Sequence, residues 1–290
     1  MGTTIEAVAV TSGGRHRPGA LRLTDRAARA CLDQAEVRPH DVDLLINAGL
    51  YHDRNLGEPA LAALIQEDVG INAEDPHPDG HGSFSFDVAN GACGVLTGLQ
   101  IVDRFLRAGT IQRGLVVAGD ADPGHHLAPG FPFAAAGGAV SCTYELGERG
   151  VVDALWGTWP DGGESWRATV GTATGRNELH LDVDEGFYER AGIAAAKVAV
   201  ELLDGAGISG TGISVVVAAP SQLDFVHAFA SHSGIDDERV VASPVPGLHT
   251  VSFVSALERA FGEGLLTRNG TALFVCAAGG ITAGAALYRT

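Results

Sequence analysis

The chain has 290 residues, 46% of them hydrophobic and 19% charged, with 40 glycines and 12 prolines, so a large buried core is possible and an intrinsically disordered chain is excluded. Against 19 basic residues stand 35 acidic ones, a formal net charge of −16, which leaves no cationic footprint for nucleic acid. No run approaches the roughly 18 apolar residues of a membrane span. The opening Met1-Gly-Thr-Thr-Ile-Glu6 lacks the basic start of a signal peptide, so a soluble, cytoplasmic chain with no membrane partner is expected.

In chain order, residues 5–10 read as a strand and 25–35 as a helix. A buried strand at 43–47 and a helix at 58–68 follow, then a long irregular segment, 70–82, expected to be a surface loop. Residues 83–88 alternate as a strand, and 93–108 form a helix with Leu96, Leu99, Val102, Phe105 and Leu106 on one face. Strands are expected at 114–119 and 139–144. In the second half, 151–156 and 166–172 are expected to pair as an antiparallel element. Then come a helix at 186–205, a strand at 213–218, a helix at 222–232, a short strand at 240–241, a helix at 251–262, and strands at 271–276 and 283–288. Buried strands alternating with helices imply an α/β chain with a mixed, mostly parallel sheet covered on both faces. Two similar βαβαβαββ halves, 1–148 and 149–290, meet at the Gly147-Glu-Arg-Gly150 turn.

Four cysteines, Cys31, Cys93, Cys142 and Cys276, lie far apart with no C-x-x-C pair, so neither a disulfide framework nor a zinc ribbon is indicated. Lys197, the only lysine, sits inside a helical run and reads as a surface residue. The most informative segment is Phe86-Asp-Val-Ala-Asn-Gly-Ala-Cys-Gly94. A strand ends, small residues turn, and Cys93 stands at the first turn of a helix. Unpaired N–H groups and the positive helix end favour its thiolate there, which is how a cysteine becomes a nucleophile; the alternative is a buried small hydrophobe.

This segment and its continuation Ile111-Gln-Arg-Gly-Leu-Val-Val-Ala-Gly-Asp120 resemble the nucleophile region of ketoacyl synthase III enzymes, in the thiolase superfamily. Leu273-Phe-Val-Cys-Ala-Ala-Gly-Gly-Ile-Thr-Ala-Gly-Ala-Ala-Leu287 is similar to their glycine-rich ending, and His249-Thr-Val-Ser-Phe-Val-Ser-Ala-Leu257 resembles the Asn-Thr-Ser block before their last helix. The resemblance implies a thiolase-like fold, the two halves stacking as a five-layer α-β-α-β-α sandwich. It implies an acyltransferase that takes an acyl group from acyl-CoA or an acyl carrier protein onto Cys93, with no permanently bound cofactor and no metal. The N–H groups of Cys93 and Gly280 would form the oxyanion hole. Dimerisation would join the edge strand near residues 83–87 of two copies.

The departures matter equally. Relatives carry a histidine after a strand and an asparagine before the final helix, both donating to the thioester carbonyl of the second substrate during decarboxylation. The first position reads Ala218-Ala-Pro-Ser-Gln222, where Ser221 or Gln222 is a weaker candidate donor; the second is His249. His249 can serve as general base or as neutral donor, and the absence of the other histidine favours the base. No counterpart of the family's Trp-Ile-x-x-Arg-Thr-Gly block, which meets the coenzyme A nucleotide, stands between Thr11 and Arg29. His125 and His126 lie in a loop that can approach the site mouth, without the spacing of a known metal site. Cys276 stands where thiolases place a second cysteine, but a core strand residue is the expectation. Carbon–carbon condensation is slightly favoured over acyl transfer to an oxygen, nitrogen or sulfur nucleophile. An assisting subunit paired with a fuller homologue is the third reading.

Overall fold

The computed structural model describes residues 2–14, 18–72, 82–147, 149–173, 175–266 and 269–290. Five strands form one sheet: β1 (Gly2–Ser12), β2 (Leu44–Asn47), β3 (Phe84–Asp87), β4 (Arg113–Asp120) and β5 (Ala136–Glu145). A second sheet holds β6 (Gly150–Thr158), β9 (Val215–Ala219), β10 (Val240–Val241), β11 (Thr271–Ala278) and β12 (Thr282–Arg289). Their orders are β1-β5-β4-β2-β3 and β6-β12-β11-β9-β10, so corresponding strands occupy corresponding places in the two sheets. Six helices cover them: α1 (Ala20–Gln34), α2 (Leu61–Val69), α3 (Gly94–Arg107), α4 (Phe187–Ala206), α5 (Leu223–Ser233) and α6 (Ser252–Gly262).

Strand alternation sets the layers. Leu44 and Ile46 of β2, Val116 and Ala118 of β4, and Phe274 and Cys276 of β11 point into one central core shared by both sheets, α3 and α6. The intervening Leu45, Leu115 and Val117 pack outward under α1 and α2. Leu273 and Val275 pack outward under α4 and α5. The result is the expected five-layer sandwich. Close approach of α3 to the first sheet depends on Gly98, where a β-carbon would stand 2.8 Å from Val116 Cγ1.

Two helices start where a carboxylate from a distant element caps them. Asp53 Oδ1 accepts the Ala20 N–H at 2.8 Å, and Asp87 accepts the N–H groups of Leu61 and Ala62 at 2.9 and 2.8 Å. This is why α1 begins five residues before the expected Asp25, and α2 three residues after the expected start.

Two expectations are overturned. The sheets are mixed but not mostly parallel: β2–β3, β2–β4, β9–β10 and β9–β11 run parallel, but β1–β5, β4–β5, β11–β12 and β6–β12 run antiparallel. β6 does not pair with the strand after it; it is the edge of the second sheet, antiparallel to β12. That next strand, β7 (Trp166–Ala173), pairs instead with β8 (Arg176–Val183), a segment the sequence did not flag, as a separate antiparallel hairpin. Of the expected loop at 70–82, residues 73–81 lie outside the described residues, as does Glu148 in the inter-half turn.

Candidate active site

A short 3-10 turn, Gly91–Cys93, joins β3 to α3 and places Cys93 as the N-cap residue of that helix, wholly buried between the two sheets. The turn is locked from three sides. Asn90 Nδ2 donates to Thr97 Oγ1 at 3.0 Å, Thr97 Oγ1 donates to the Cys93 carbonyl at 3.0 Å, and the Cys93 N–H donates to the Asn90 carbonyl at 2.9 Å. The thiol donates to the carbonyl of Thr282, at the start of β12, across 3.6 Å. Burial, and then the neighbouring Cys276 thiol, push the Cys93 thiol well above the ordinary cysteine value. The helix end is therefore outweighed in the closed site, and Cys93 rests as a thiol rather than the thiolate its position suggests.

Gly280 lies in the turn between β11 and β12 at φ +122°, a conformation that favours glycine. Among the described residues its N–H donates to no acceptor, as the expected oxyanion role requires. The Cys93 N–H already serves Asn90, and as a second oxyanion donor it would share that bond.

His249 is not a surface histidine; it is 7% exposed. The buried Asp120, at the end of β4, takes the backbone N–H groups of His249, Thr250 and Val251 at 2.8, 3.0 and 3.1 Å and the Thr250 hydroxyl at 2.7 Å. One carboxylate thus fixes the turn that leads into α6. The imidazole lies between two rings, Phe133 at 4.6 Å and 13° and Trp166 at 5.0 Å and 20°. Its Nδ1 meets the Tyr51 hydroxyl at 2.9 Å. Its Nε2 edge faces the cysteine turn: a β-carbon on Gly91 would stand 3.6 Å from Nε2. Burial holds the ring's pKa below the usual histidine value, against the opposing pull of Asp120, so the imidazole is neutral.

The structure thus brings Cys93, His249 and the Gly280 turn together, although no Cys93–His249 hydrogen bond forms among the described residues. Cys276 is the buried core residue of a strand, β11, that the sequence leads one to expect, and its side chain lies beside the Cys93 thiol. Ser221 and Gln222 follow β9 and precede α5. Among the described residues neither bonds to Cys93 or His249, and Gln222 Oε1 is buried without a partner. His125 and His126 are exposed on the β4–β5 loop, His125 lining an outer cleft with Arg54, Leu127, Arg176 and Asn177. Among the described residues no three His, Cys, Asp or Glu side chains cluster to hold a metal ion.

The sequence missed Tyr51, Trp166 and the clamping role of Asp120. Tyr51 is 198 positions from His249, and no local pattern links them. Asp120 stands in the family-like strand motif, so its position was visible although its partners were not.

No protein-family model matches the chain. Among curated proteins, beta-ketoacyl-[acyl-carrier-protein] synthase III of Aquifex aeolicus is 25% identical over 282 residues, covering 92% of this chain and 83% of that one. The enzyme of the same name from Rhodospirillum centenum is 28% identical over 285 residues with the same coverage. Among solved structures, 3-oxoacyl-[acyl-carrier-protein] synthase III of Aquifex aeolicus superposes with a TM-score of 0.82 at 20% identity, over 100% of both chains. OleA of Xanthomonas campestris superposes with a TM-score of 0.81 at 17% identity, over 99% of this chain and 98% of that one. Paired five-stranded sheets around two central helices, with a buried cysteine at the start of one, define the thiolase-like fold of the condensing enzymes. Within it, the chain is similar over most of its length to ketoacyl synthase III enzymes.

Proposed function

We propose that this enzyme transfers an acyl group through a thioester on Cys93, from acyl-CoA or an acyl carrier protein to a second substrate, with carbon–carbon condensation as the second step. The observation that carries the reading is the convergence at one buried turn of the Cys93 thiol and the Nε2 edge of His249, with the β12 end of the Gly280 turn held to the thiol through the Thr282 carbonyl.

The first step balances without a cofactor. The Cys93 sulfur attacks the donor's thioester carbonyl, the tetrahedral oxyanion collects the Gly280 N–H, and the carbon–sulfur bond to the donor breaks. The thiol proton leaves with the departing thiol. Because burial keeps that proton on Cys93 at rest, attack and proton transfer are coupled inside the covered site. In the second step His249, at the place of the relatives' asparagine, polarises the incoming carbonyl while the malonyl-type partner loses carbon dioxide. The resulting enolate carbon attacks the acyl carbonyl, the carbon–sulfur bond to Cys93 breaks, and the sulfur takes a proton from solvent. In this reading the halves 1–148 and 149–290 supply the cysteine and the histidine with its glycine turn, respectively, and the enzyme is a cytoplasmic homodimer joined along β3.

Intact-mass measurement after incubation with acyl-CoA or acyl-pantetheine tests the reading. One acyl mass should appear, Cys93→Ala should abolish it, and Cys276→Ala should retain it. Labelling on Cys31, Cys142 or Cys276 instead overturns the assignment. Acyl transfer to an oxygen, nitrogen or sulfur nucleophile is the second reading, favoured by the lack of a histidine at Ser221 and Gln222. Carbon dioxide release from a malonyl thioester separates the two.

A further inference from the structure

We propose that Tyr51 is a positioning residue that fixes the tautomer of His249 and makes its Nε2–H a hydrogen-bond donor to the substrate carbonyl. The proposal rests on the reading of Cys93 and His249 given above. A neutral imidazole has one N–H and one lone pair, and which nitrogen carries the hydrogen is set by the partner of the other. Here that partner is a phenol. Tyr51 is 3% exposed, and burial holds its hydroxyl protonated, with the Asp120 charge acting in the same direction.

The phenolic hydrogen has one acceptor among the described residues, Nδ1 of His249 at 2.9 Å. If Nδ1 carried the ring's hydrogen, it would donate to the phenol oxygen. The phenolic hydrogen would then have no acceptor among the described residues. A buried donor without an acceptor is costly. The arrangement that satisfies both groups has the Tyr51 hydroxyl donating to Nδ1, with the hydrogen of the ring on Nε2. No carboxylate competes for Nδ1, because both oxygens of Asp120 are taken by backbone N–H groups and the Thr250 hydroxyl. The ring cannot turn over without breaking its stacks on Phe133 and Trp166. His249 thereby presents an N–H toward the Gly91–Cys93 turn, as an asparagine amide would. This departs from the general-base role that the sequence favoured.

Two measurements on the full chain decide it. In protein labelled with nitrogen-15 histidine, the His249 signals are assigned by their loss in His249→Asn. Wild type should show an unprotonated Nδ1 and a protonated Nε2, and Tyr51→Phe should replace this single fixed tautomer by a mixture of the two. A protonated Nδ1 in wild type overturns the proposal. Kinetically, Tyr51→Phe keeps the aromatic packing and should lower condensation turnover by about 10- to 100-fold, the usual effect of losing a ring-orienting partner. His249→Asn offers an amide N–H with no tautomer to choose, so adding Tyr51→Phe to it should change turnover by less than about twofold. An equal loss in both backgrounds means that Tyr51 acts only structurally, and the proposal fails. Acylation of Cys93 is read in parallel: its absence in wild type defeats the proposed function, while the nitrogen-15 spectrum still decides the tautomer.

Discussion

Asp120 shows how much one buried side chain can organise. Its carboxylate is fully covered and accepts four hydrogen bonds from three consecutive residues, tying the end of one sheet's β4 to the turn that opens α6. Removing such a group strands several buried donors at once. Asp120→Ala should therefore destabilise the protein by about 3–5 kcal/mol, and Asp120→Asn, which keeps the volume but turns one acceptor into a donor, by about 1–3 kcal/mol. Chemical denaturation at constant pH measures both, and equal stability of Asp120→Ala and wild type would refute the account. At this scale legibility was uneven. Cys93 could be found because small residues before a helix leave a local trace. Tyr51 and Trp166 left none, since their roles arise only when the chain brings them onto His249 from opposite sides in sequence.

Among the elements, the errors share one cause. Helix starts and strand partners in this fold come from residues far away in sequence, where local patterns leave no trace of them. Asp53 caps α1 from 33 residues downstream, which displaced its expected start. β6 finds β12 rather than its neighbour in sequence. The central helix α3 and the strands facing it were correctly anticipated, because their apolar faces repeat with unmistakable period. The α1–α2 junction also carries a titratable liability. Asp25, halfway along the first stretch of α1, has one buried oxygen with no partner among the described residues. Burial first, and then Asp68 and Asp53, raise its carboxyl from 3.8 to about 7, against the pull of Arg29. A folded-state pKa above the unfolded one means a contribution fully present below about pH 4 and lost as pH rises through about 7. Asp25→Asn cannot ionise, so its Tm should match wild type near pH 4 and exceed it at pH 8. A Tm advantage of equal size at both pH values would show that the effect is not ionisation.

For the molecule as a whole, the two sheets differ in what guards their edges. β3 closes one edge of the first sheet with Phe84 42% exposed, stacked on Phe86 and close to Phe105. An open edge with an aromatic cluster is a liability unless another strand covers it. A second copy paired along β3 would do so. Phe84→Glu should convert the expected dimer to monomer by light scattering, since it sets two carboxylates face to face on a chain already at −16. A wild-type monomer at micromolar concentration would contradict the assembly.

The Cys93 thiol meets its hydrogen-bond acceptor on Thr282, and its cover includes Cys276 on β11. The ribosome makes these residues late. The 189 positions between Cys93 and Thr282 correspond to about 10–40 s of synthesis at about 5–20 residues per second. Once β5 has been made the first sheet can form, while the apolar face of α3, with Leu96 and Leu99, still lacks the layer that buries it. A nascent chain thus carries an unhoused nucleophile beside an uncovered helix, and only β11 and β12 bring the thiol indoors.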